Sequence, residues 1–572
     1  MSAQRAPGPV RVAAFVAAAA AVVLAALLAV RVAGRREPAR TPDAPPSPSG
    51  VPVDRKERVR HEEFRDGRLA VSVRGDLAFR GADGREHLTG SVEVVRFSPE
   101  GEAAARLTAD EVAYAKGALR FEVTGRVRVE AGGAALEGEA FLYDEAAGTF
   151  GTVSGGRFTA DGLAGEAREI VYDEKAGEVR LGGGFRAGLA AADGGTLTLS
   201  GESLSYGRGP RRGRMTGRAS LAAEGLRAEA ATVSFLVAAG EAGLEAAVLE
   251  GSAVLSAGSG EAGVRTVASP EVRLDFSPPG GGPAWSATGG VRVEIRGPGD
   301  PGRILFGEEA RFDAAGVLRV SGPAGGQAAA DSAEARVEAP AIEIASGAGD
   351  LRAEGGATGV LKKSPGAGPT GFFVGDEDVS FSCRTLRMPT GREAVRLSGE
   401  ALVRQGRAAV RGGAIEIAGG GGRMKGGDGV TVTLPDTGAA ERPEPGAKLA
   451  GREMAFDPDT RTLTLSGGAS VGLPGARLEA GSLAAVLAPD GRAVGTLTAE
   501  GGVVVARGGH TGRSRTAFYD AAARRLVLTG SPVLVDAEGG AARGDKLTFD
   551  LADDKIFLEN EGTGRTSTVI RK

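Results

Sequence analysis

The chain has 572 residues, of which 94 are glycine, or about one in six against a usual share of about 7%. A single cysteine excludes an intrachain disulfide and a cysteine-based zinc cluster, and a formal net charge of −4 disfavours a nucleic-acid-binding protein, which needs a broad basic face. The glycines follow no strict three-residue period, so the chain is not collagen-like, and 42% hydrophobic residues are enough for a buried core.

Residues 12–30 form an apolar segment of 19 residues without a charge, about the length of a helix that crosses the hydrocarbon core of a membrane. A cleaved signal peptide is the alternative, but the apolar region of a signal peptide is usually only ~7–15 residues long. We therefore predict an amino-terminal stub and transmembrane anchor over residues 1–36. Four arginines follow the segment closely and two precede it. By the positive-inside rule this excess would keep the bulk of the chain in the cytoplasm, whereas we expect it to be exported, because long domains translocate largely regardless of local charge.

Residues 37–60 are rich in proline and charged residues. This composition predicts an extended linker rather than a packed element. The first 60 residues therefore predict a membrane anchor and a short tether that precede a large soluble body.

The body repeats a two-strand unit. Its first strand ends in an aromatic residue and Asp, as at Tyr143-Asp144, Tyr172-Asp173 and Tyr519-Asp520, and its second strand, after a turn, closes on Gly. Apolar and polar residues alternate with period 2, which predicts half-buried strands, and Asp suits the start of a turn because its carboxylate accepts backbone N–H groups. We expect the closing glycines to lie at strand ends, where they supply a positive φ, a bulge or a bend; they are residues 125, 155, 183, 217, 251, 289, 322, 355, 399, 426, 467, 501 and 530.

A two-strand unit cannot bury its apolar face alone, so neighbouring units must stack on one another. The repeat predicts an all-β fold: an elongated stack of antiparallel two-strand repeats in two facing sheets. The enclosed side chains are mostly Ala, Val and Leu, which leave room for a long apolar guest or else fill a tight solenoid core. We divide the body into residues 61–190, a degenerate β-repeat region with Gly/Pro insertions over 191–445, and residues 446–572.

The repeat resembles the periplasmic lipopolysaccharide-transport bridge proteins, in which a strand with Ala and an aromatic-Asp pair precedes a strand that closes on Gly and restarts with Val-x-Val, here Val127-Arg-Val129. These proteins include the membrane-anchored LptC type and the soluble LptA, or OstA-like, type. Residues 107–185 are most similar to LptC, so 61–190 is interpreted as an LptC-like jellyroll; residues 449–560 are most similar to OstA, so 446–572 is interpreted as OstA-like. The chain departs from a typical LptC in having several times as many units.

The resemblance implies an open, V-shaped β-jellyroll (β-taco) that follows one transmembrane helix and holds the acyl chains of lipopolysaccharide in its groove. It implies a single-pass inner-membrane protein, with most of the chain in the periplasm, that shields these chains on the way to the outer membrane. The implied partners are lipopolysaccharide or another acyl lipid, an inner-membrane ABC transporter complex, and periplasmic or outer-membrane OstA-like proteins joined by edge-strand pairing. Asp554–Asn560 is the candidate donor edge. The candidate groove residues are the alternating apolar ones: Phe121, Val123, Val127, Val129, Phe141, Tyr143, Val179 and Leu181.

We expect no catalytic residue, metal or cofactor, and no nucleic-acid partner. The sequence has no phosphate-binding loop and no zinc-protease motif, and the G-x-S-x-G match at Gly468–Gly472 lies between two strand patterns, whereas a nucleophile elbow needs a strand followed by a helix. Two other functions stay open. One is a phospholipid bridge like those of the AsmA and TamB group, and the other is a structural β-solenoid without lipid cargo.

Overall fold

The computed structural model describes residues 55–571, apart from residues 66, 99, 116–119, 132–133, 145, 153, 174–175, 191–194, 239–242, 259–263, 277–282, 298–301, 346–348, 363–371, 374–376, 390–393, 419–421, 436–445, 474, 490, 492 and 561–567. The predicted anchor lies outside the described residues. Within them, no helix has the length and apolar character that a membrane span requires. Residues 55–60, which the sequence assigned to the linker, belong to the first strand.

The described part of the chain is built from antiparallel β-strands and falls into two compact units. Unit 1 comprises Met1–Gly258 and Thr266–Ala287, and unit 2 comprises Ser259–Arg265 and Thr288–Lys572. Strand pairing continues across the predicted domain boundary at 190/191, where Phe185 pairs with Gly201.

The first half of the chain contributes strands β1 (Arg55–Arg65), β2 (Arg68–Arg80), β3 (Arg85–Phe97), β4 (Ala103–Ala115), β5 (Arg120–Ala131), β6 (Ala134–Asp144), β7 (Thr149–Thr152), β8 (Gly156–Ala160), β9 (Leu163–Asp173), β10 (Glu178–Ala190), β11 (Thr196–Gly201), β12 (Ser203–Gly207), β13 (Arg212–Ala223), β14 (Leu226–Val237), β15 (Leu244–Ala257), β16 (Val264–Asp275) and β17 (Ala284–Arg296).

The second half contributes β18 (Arg303–Phe312), β19 (Val317–Ser321), β20 (Ala328–Asp331), β21 (Ala335–Ala339), β22 (Ala341–Ala345), β23 (Leu351–Leu361), β24 (Val379–Met388), β25 (Val395–Gln405), β26 (Ala408–Ile417), β27 (Met424–Gly427), β28 (Val430–Thr433), β29 (Lys448–Gly451), β30 (Glu453–Asp457), β31 (Thr462–Leu473), β32 (Ala476–Leu487), β33 (Val494–Arg507), β34 (His510–Asp520), β35 (Arg525–Thr529), β36 (Val533–Val535), β37 (Ala541–Arg543), β38 (Lys546–Asp550), β39 (Lys555–Glu559) and β40 (Thr568–Arg571).

The long strands bend near their middle at a two-residue bulge. In β13, Gly217 and Arg218 have φ of 72° and 50°, and together they lie opposite the single residue Ala231 of β14. The left-handed region favours glycine, and two residues opposite one bend the strand locally. The bulge therefore folds the strand without ending it.

The same pair of positive φ values recurs at most of the predicted closing glycines. Ten of the thirteen predicted glycines lie inside a strand, so the expectation of strand ends was wrong for them, whereas that of bulges is confirmed at Gly217. Gly155, Gly322 and Gly530 follow the end of a strand, as expected. There are four exceptions: Gly322 and Gly426 have no positive φ, and at Gly125 and Gly155 only the glycine itself has one. The bulge pairs are Gly90-Ser91, Gly183-Gly184, Gly217-Arg218, Gly251-Ser252, Gly289-Gly290, Gly355-Gly356, Gly399-Glu400, Gly467-Gly468, Gly501-Gly502 and Gly530-Ser531.

Each bend divides a strand into two halves. The half next to the aromatic–Asp turn is called the aromatic half, and the half beyond the bend is called the distal half. In β5 and β6 the aromatic half comprises residues 120–124 and 140–144, and the distal half comprises residues 127–131 and 134–138. Phe121 and Val123 before the bend and Val127 and Val129 after it are all buried, and they belong to one cluster of core residues. The same strand therefore contributes to both halves of a folded sheet, whereas the sequence predicted a separate strand for each facing sheet.

The aromatic–Asp pairs end their strands as predicted. The carboxylate of Asp144 accepts a hydrogen bond from the backbone N–H of Ala147 at 2.9 Å, and Asp173 accepts one from Ala176 at 3.0 Å. Asp550 accepts two, from Ala552 and Asp553. These bonds to the charged form hold the pKa of Asp550 below its usual value.

Candidate functional site

The candidate groove residues lie in the interior of unit 1, between 0% and 7% exposed. Stacked aromatic rings run across this interior, with the Phe121 and Tyr143 ring centres 5.9 Å apart and those of Phe141 and Phe150 4.7 Å apart. Alternation places these rings on the buried face of β5, β6 and β7, because successive side chains of a strand point to opposite faces. The interior here is a packed aromatic and aliphatic core.

An apolar cleft opens from this core between the two halves of the sheet. Its volume is about 30 Å³, which is room for about one water molecule while the two halves lie together. Phe150, Tyr172 and Val179 line it from the aromatic half, and Val129, Leu136, Phe158 and Ala160 line it from the distal half, with Arg208 at the rim.

The structure places two of the predicted groove residues, Val129 and Val179, on the wall of this cleft. The other six are buried in the interior beside it; they are Phe121, Val123, Val127, Phe141, Tyr143 and Leu181. Contact of any of these residues with lipid stays a prediction.

An ion pair joins the two halves at the rim of the cleft. Arg208 follows β12 in the aromatic half, and Asp161 lies in the turn between β8 and β9 of the distal half. The guanidinium donates from Nε and Nη2 to the two carboxylate oxygens, both at 3.2 Å. The Tyr206 hydroxyl donates to the same carboxylate at 3.4 Å, and burial, together with this negative charge, raises the pKa of Tyr206 to about 12.

Two arginines of unit 2 also bond across the two halves, but in the opposite direction, from the distal half to the aromatic half. Arg507, at the distal end of β33, bonds the side chain of Asp554 at 2.7 Å and the backbone oxygen of Asp550 at 3.2 Å. Asp550 ends β38 in the aromatic half, and Asp554 lies in the turn that follows it. Arg303, at the distal end of β18, donates to the backbone oxygen of Gly349, in the turn after β22 in the aromatic half.

The sequence did not identify Arg208, Arg303 and Arg507 as residues that join the two halves. A weak signal was present, because Tyr206 is followed by Gly207-Arg208 where Tyr143 and Tyr172 are followed by Asp. The partners lie 43 to 47 residues away in the chain, so only the folded sheet brings them together.

The predicted donor edge, Asp554–Asn560, is not an edge of the sheet. Its strand, β39, pairs with β38 on one side and with β40 on the other. At this end of the described chain, the strand with a single partner is therefore β40.

Residues with potential chemistry lie in structural positions. Ser470, the centre of the G-x-S-x-G match, lies inside β31, so the strand-to-helix turn of a nucleophile elbow is absent at this site. Cys383 is buried in β24, and burial raises the pKa of its thiol to about 11. The described residues contain no group of three or more His, Cys, Asp or Glu side chains placed to hold a metal ion.

No protein-family model and no curated protein matches the chain.

Proposed function

We propose that this protein is an anchored lipid-transport bridge that shields the acyl chains of lipopolysaccharide on their way from the inner to the outer membrane. The apolar cleft between the two sheet halves of unit 1 carries the proposal. Its walls are formed by side chains such as Val129, Phe158 and Val179, and its one charged residue, Arg208, lies at the rim.

Transfer free energy explains what such a cleft does. Each methylene group removed from water contributes about 0.8 kcal/mol, so a multi-acyl lipid crosses an aqueous space only when its chains are covered. A cleft that takes the chains and leaves the head group in water removes this barrier, and a transporter in the membrane supplies the energy. The bridge itself then performs no chemistry.

The proposal includes an open β-jellyroll whose halves separate to admit the chains, and an amino-terminal transmembrane helix that fixes it to the inner membrane. Two observations support it. The bulges let each strand line both walls of the interior, and residues 12–30 have the length and apolar character of a span. The partners proposed are an inner-membrane ABC transporter complex and OstA-like proteins that pair edge to edge with the chain.

A structural β-solenoid without cargo is the second candidate. It is favoured by the aromatic stacking beside the cleft, where Phe121, Phe141 and Tyr143 fill the interior with side chains. The two functions differ in whether a lipid ever reaches the cleft.

Photo-crosslinking in cells separates these functions. A photoreactive amino acid replaces Val179, which is 5% exposed on the cleft wall, and in a matched variant it replaces Leu142, which is 49% exposed on the outer face of the same half. We expect a lipopolysaccharide adduct at position 179 and none at position 142, identified by mass spectrometry. A phospholipid adduct at 179 would indicate an AsmA/TamB-like bridge, and no adduct at either position would favour the solenoid.

A further inference from the structure

The Arg208–Asp161 ion pair joins the two halves beside the cleft of unit 1, whose lining includes Arg208. Asp161 and Gly162 form the two-residue turn between β8 and β9, with φ of 50° and 80°. Positive φ at both central residues is the hairpin turn that favours Asp-Gly, so the turn fixes where the carboxylate points. A backbone hydrogen bond from Arg208 to Gly177, at 3.3 Å, ties the arginine to the neighbouring turn of its own half.

The pair is shielded as well as positioned. The Arg208 side chain is 12% exposed and that of Asp161 is 33% exposed, so water and salt screen this bidentate pair less than they screen the surface pairs of the molecule. Arg208 also belongs to the lining of the cleft, beside Tyr172 and Val179. A guest that enters between the halves at this rim must pass the guanidinium and its partner.

We propose that Arg208 and Asp161 form a clasp that gates the cleft: it holds the halves together when the cleft is empty and opens to admit an apolar chain. The identity of the guest rests on the proposed function, but the control of access does not. Two further arginines also bridge the halves of unit 2, from a strand end in the distal half to the aromatic half: Arg507 bonds the carboxylate of Asp554, and Arg303 bonds the backbone oxygen of Gly349. Recurrence of the bridge in a second unit favours a shared role over an accidental surface pair.

The clasp is tested by the reactivity of a thiol behind it. Ala160 lines the cleft and is 3% exposed, so an Ala160→Cys substitution in a Cys383→Ser background places the only thiol of the chain on the cleft wall. The full-length protein is reconstituted in phospholipid nanodiscs and treated with a negatively charged, water-soluble maleimide. We expect Arg208→Gln to raise the labelling rate at least fivefold, and Asp161→Asn, which keeps a residue suited to the turn, to do the same.

Arg180→Gln is the matched control. Arg180 pairs with Asp173 at 2.6 Å, and both residues lie in the aromatic half, so this ion pair bridges nothing across the cleft. Its loss should leave the labelling rate unchanged. Arg208→Lys keeps the charge but cannot form the bidentate ion pair, so it should give an intermediate labelling rate. A graded series of rates would show that the fast labelling of Arg208→Gln does not come from misfolding. Equal labelling rates for the parent protein, Arg208→Gln and Asp161→Asn would overturn the clasp.

A second measurement separates the clasp from the proposed function. The photoreactive residue at position 179 is combined with Arg208→Gln, and the rate of lipid-adduct formation is compared with that of the parent. Faster labelling with no lipid adduct in either protein would leave the clasp standing and overturn the lipid bridge. Adducts that form in both proteins, with unchanged labelling and adduct rates, would overturn the clasp and leave the bridge.

Discussion

At the scale of single residues, His87 is the clearest example of a polar group placed by the fold. It lies on β3 and its ring contacts two carboxylates: Nδ1 is 2.6 Å from Glu111 on β4, and Nε2 is 3.1 Å from Asp83 in the preceding turn. One face of the imidazole ring stacks on the ring of Phe79 in β2, with ring centres 5.1 Å apart. The histidine therefore links three consecutive strands.

These contacts make the stability of the amino-terminal strands depend on pH. Burial lowers the pKa of His87, but the hydrogen bonds to Glu111 and Asp83 outweigh it, and the net pKa is raised above the usual 6.5. A raised pKa in the folded state means that the stabilisation is complete below pH ~6.5 and is lost as the pH rises through the folded-state value.

His87→Gln should therefore lower the free energy of unfolding at pH 5 by on the order of 1 kcal/mol, since ion pairs with partly exposed carboxylates contribute up to about that much. The difference from the parent protein should shrink between pH 6 and 9. Chemical denaturation across this pH range measures it, and His61→Gln, in the edge strand β1, serves as the control. A difference that stays constant with pH would show that the histidine acts through packing alone.

At the scale of elements, the bulge decides how strands become a folded sheet. In β10, Gly183 and Gly184 lie opposite the single residue Arg168 of β9. Both glycines have positive φ, but their surroundings differ. A Cβ on Gly183 would lie 2.9 Å from the Cβ of Arg168, whereas a Cβ on Gly184 would meet no atom within 4 Å.

This difference gives a matched pair of substitutions. Gly184→Ala should cost about 1 kcal/mol of unfolding free energy, which is the usual penalty for a side chain in the left-handed region. Gly183→Ala should cost more, because the new methyl group adds a clash that the backbone of β9 must relieve. Thermal or urea unfolding measures both variants, and equal losses would contradict the close approach between β9 and β10.

The elements also show what sequence reasoning reached. Alternation predicts the strands, and Asp144, Asp173 and Asp550 start the turns as their side-chain chemistry requires. The passage of strands through Gly217 was not predictable, because the residue opposite the bulge, Ala231, belongs to another strand. The Arg208–Asp161 pair could not be predicted for the same reason. Each partner is an ordinary turn residue in the sequence, and only the bend brings the two halves together.

At the scale of the whole molecule, both units share one construction, in which the described strands form hydrogen-bonded pairs with strands close to them in sequence. Strand β10, for example, pairs with β9, β11 and β12. Stability in such an array is approximately a sum of repeat and nearest-neighbour contributions, so a local defect should remain local.

Hydrogen exchange tests this expectation. Gly183→Ala should speed amide exchange in β9 to β11 by roughly tenfold or more, equivalent to at least about 1.4 kcal/mol, and leave β31 to β33 of unit 2 unchanged. The same peptides of the parent protein provide the baseline. A uniform increase across both units would contradict the nearest-neighbour description and indicate a single cooperative transition.

Each bulge places two residues of one strand opposite one residue of its neighbour. This fixed register also limits how such a chain can change its length. Within a strand half, one inserted or deleted residue would exchange the inner and outer faces from that point to the next hairpin, because side chains alternate with period 2. Phe121 and Val123 would then face water, and Glu122 would face the core. Changes by two residues, by a whole two-strand repeat or within a hairpin turn preserve the faces. Lineages of this protein should therefore differ in length mostly at turns and by whole repeats, while the spacing between bulge and turn keeps its parity.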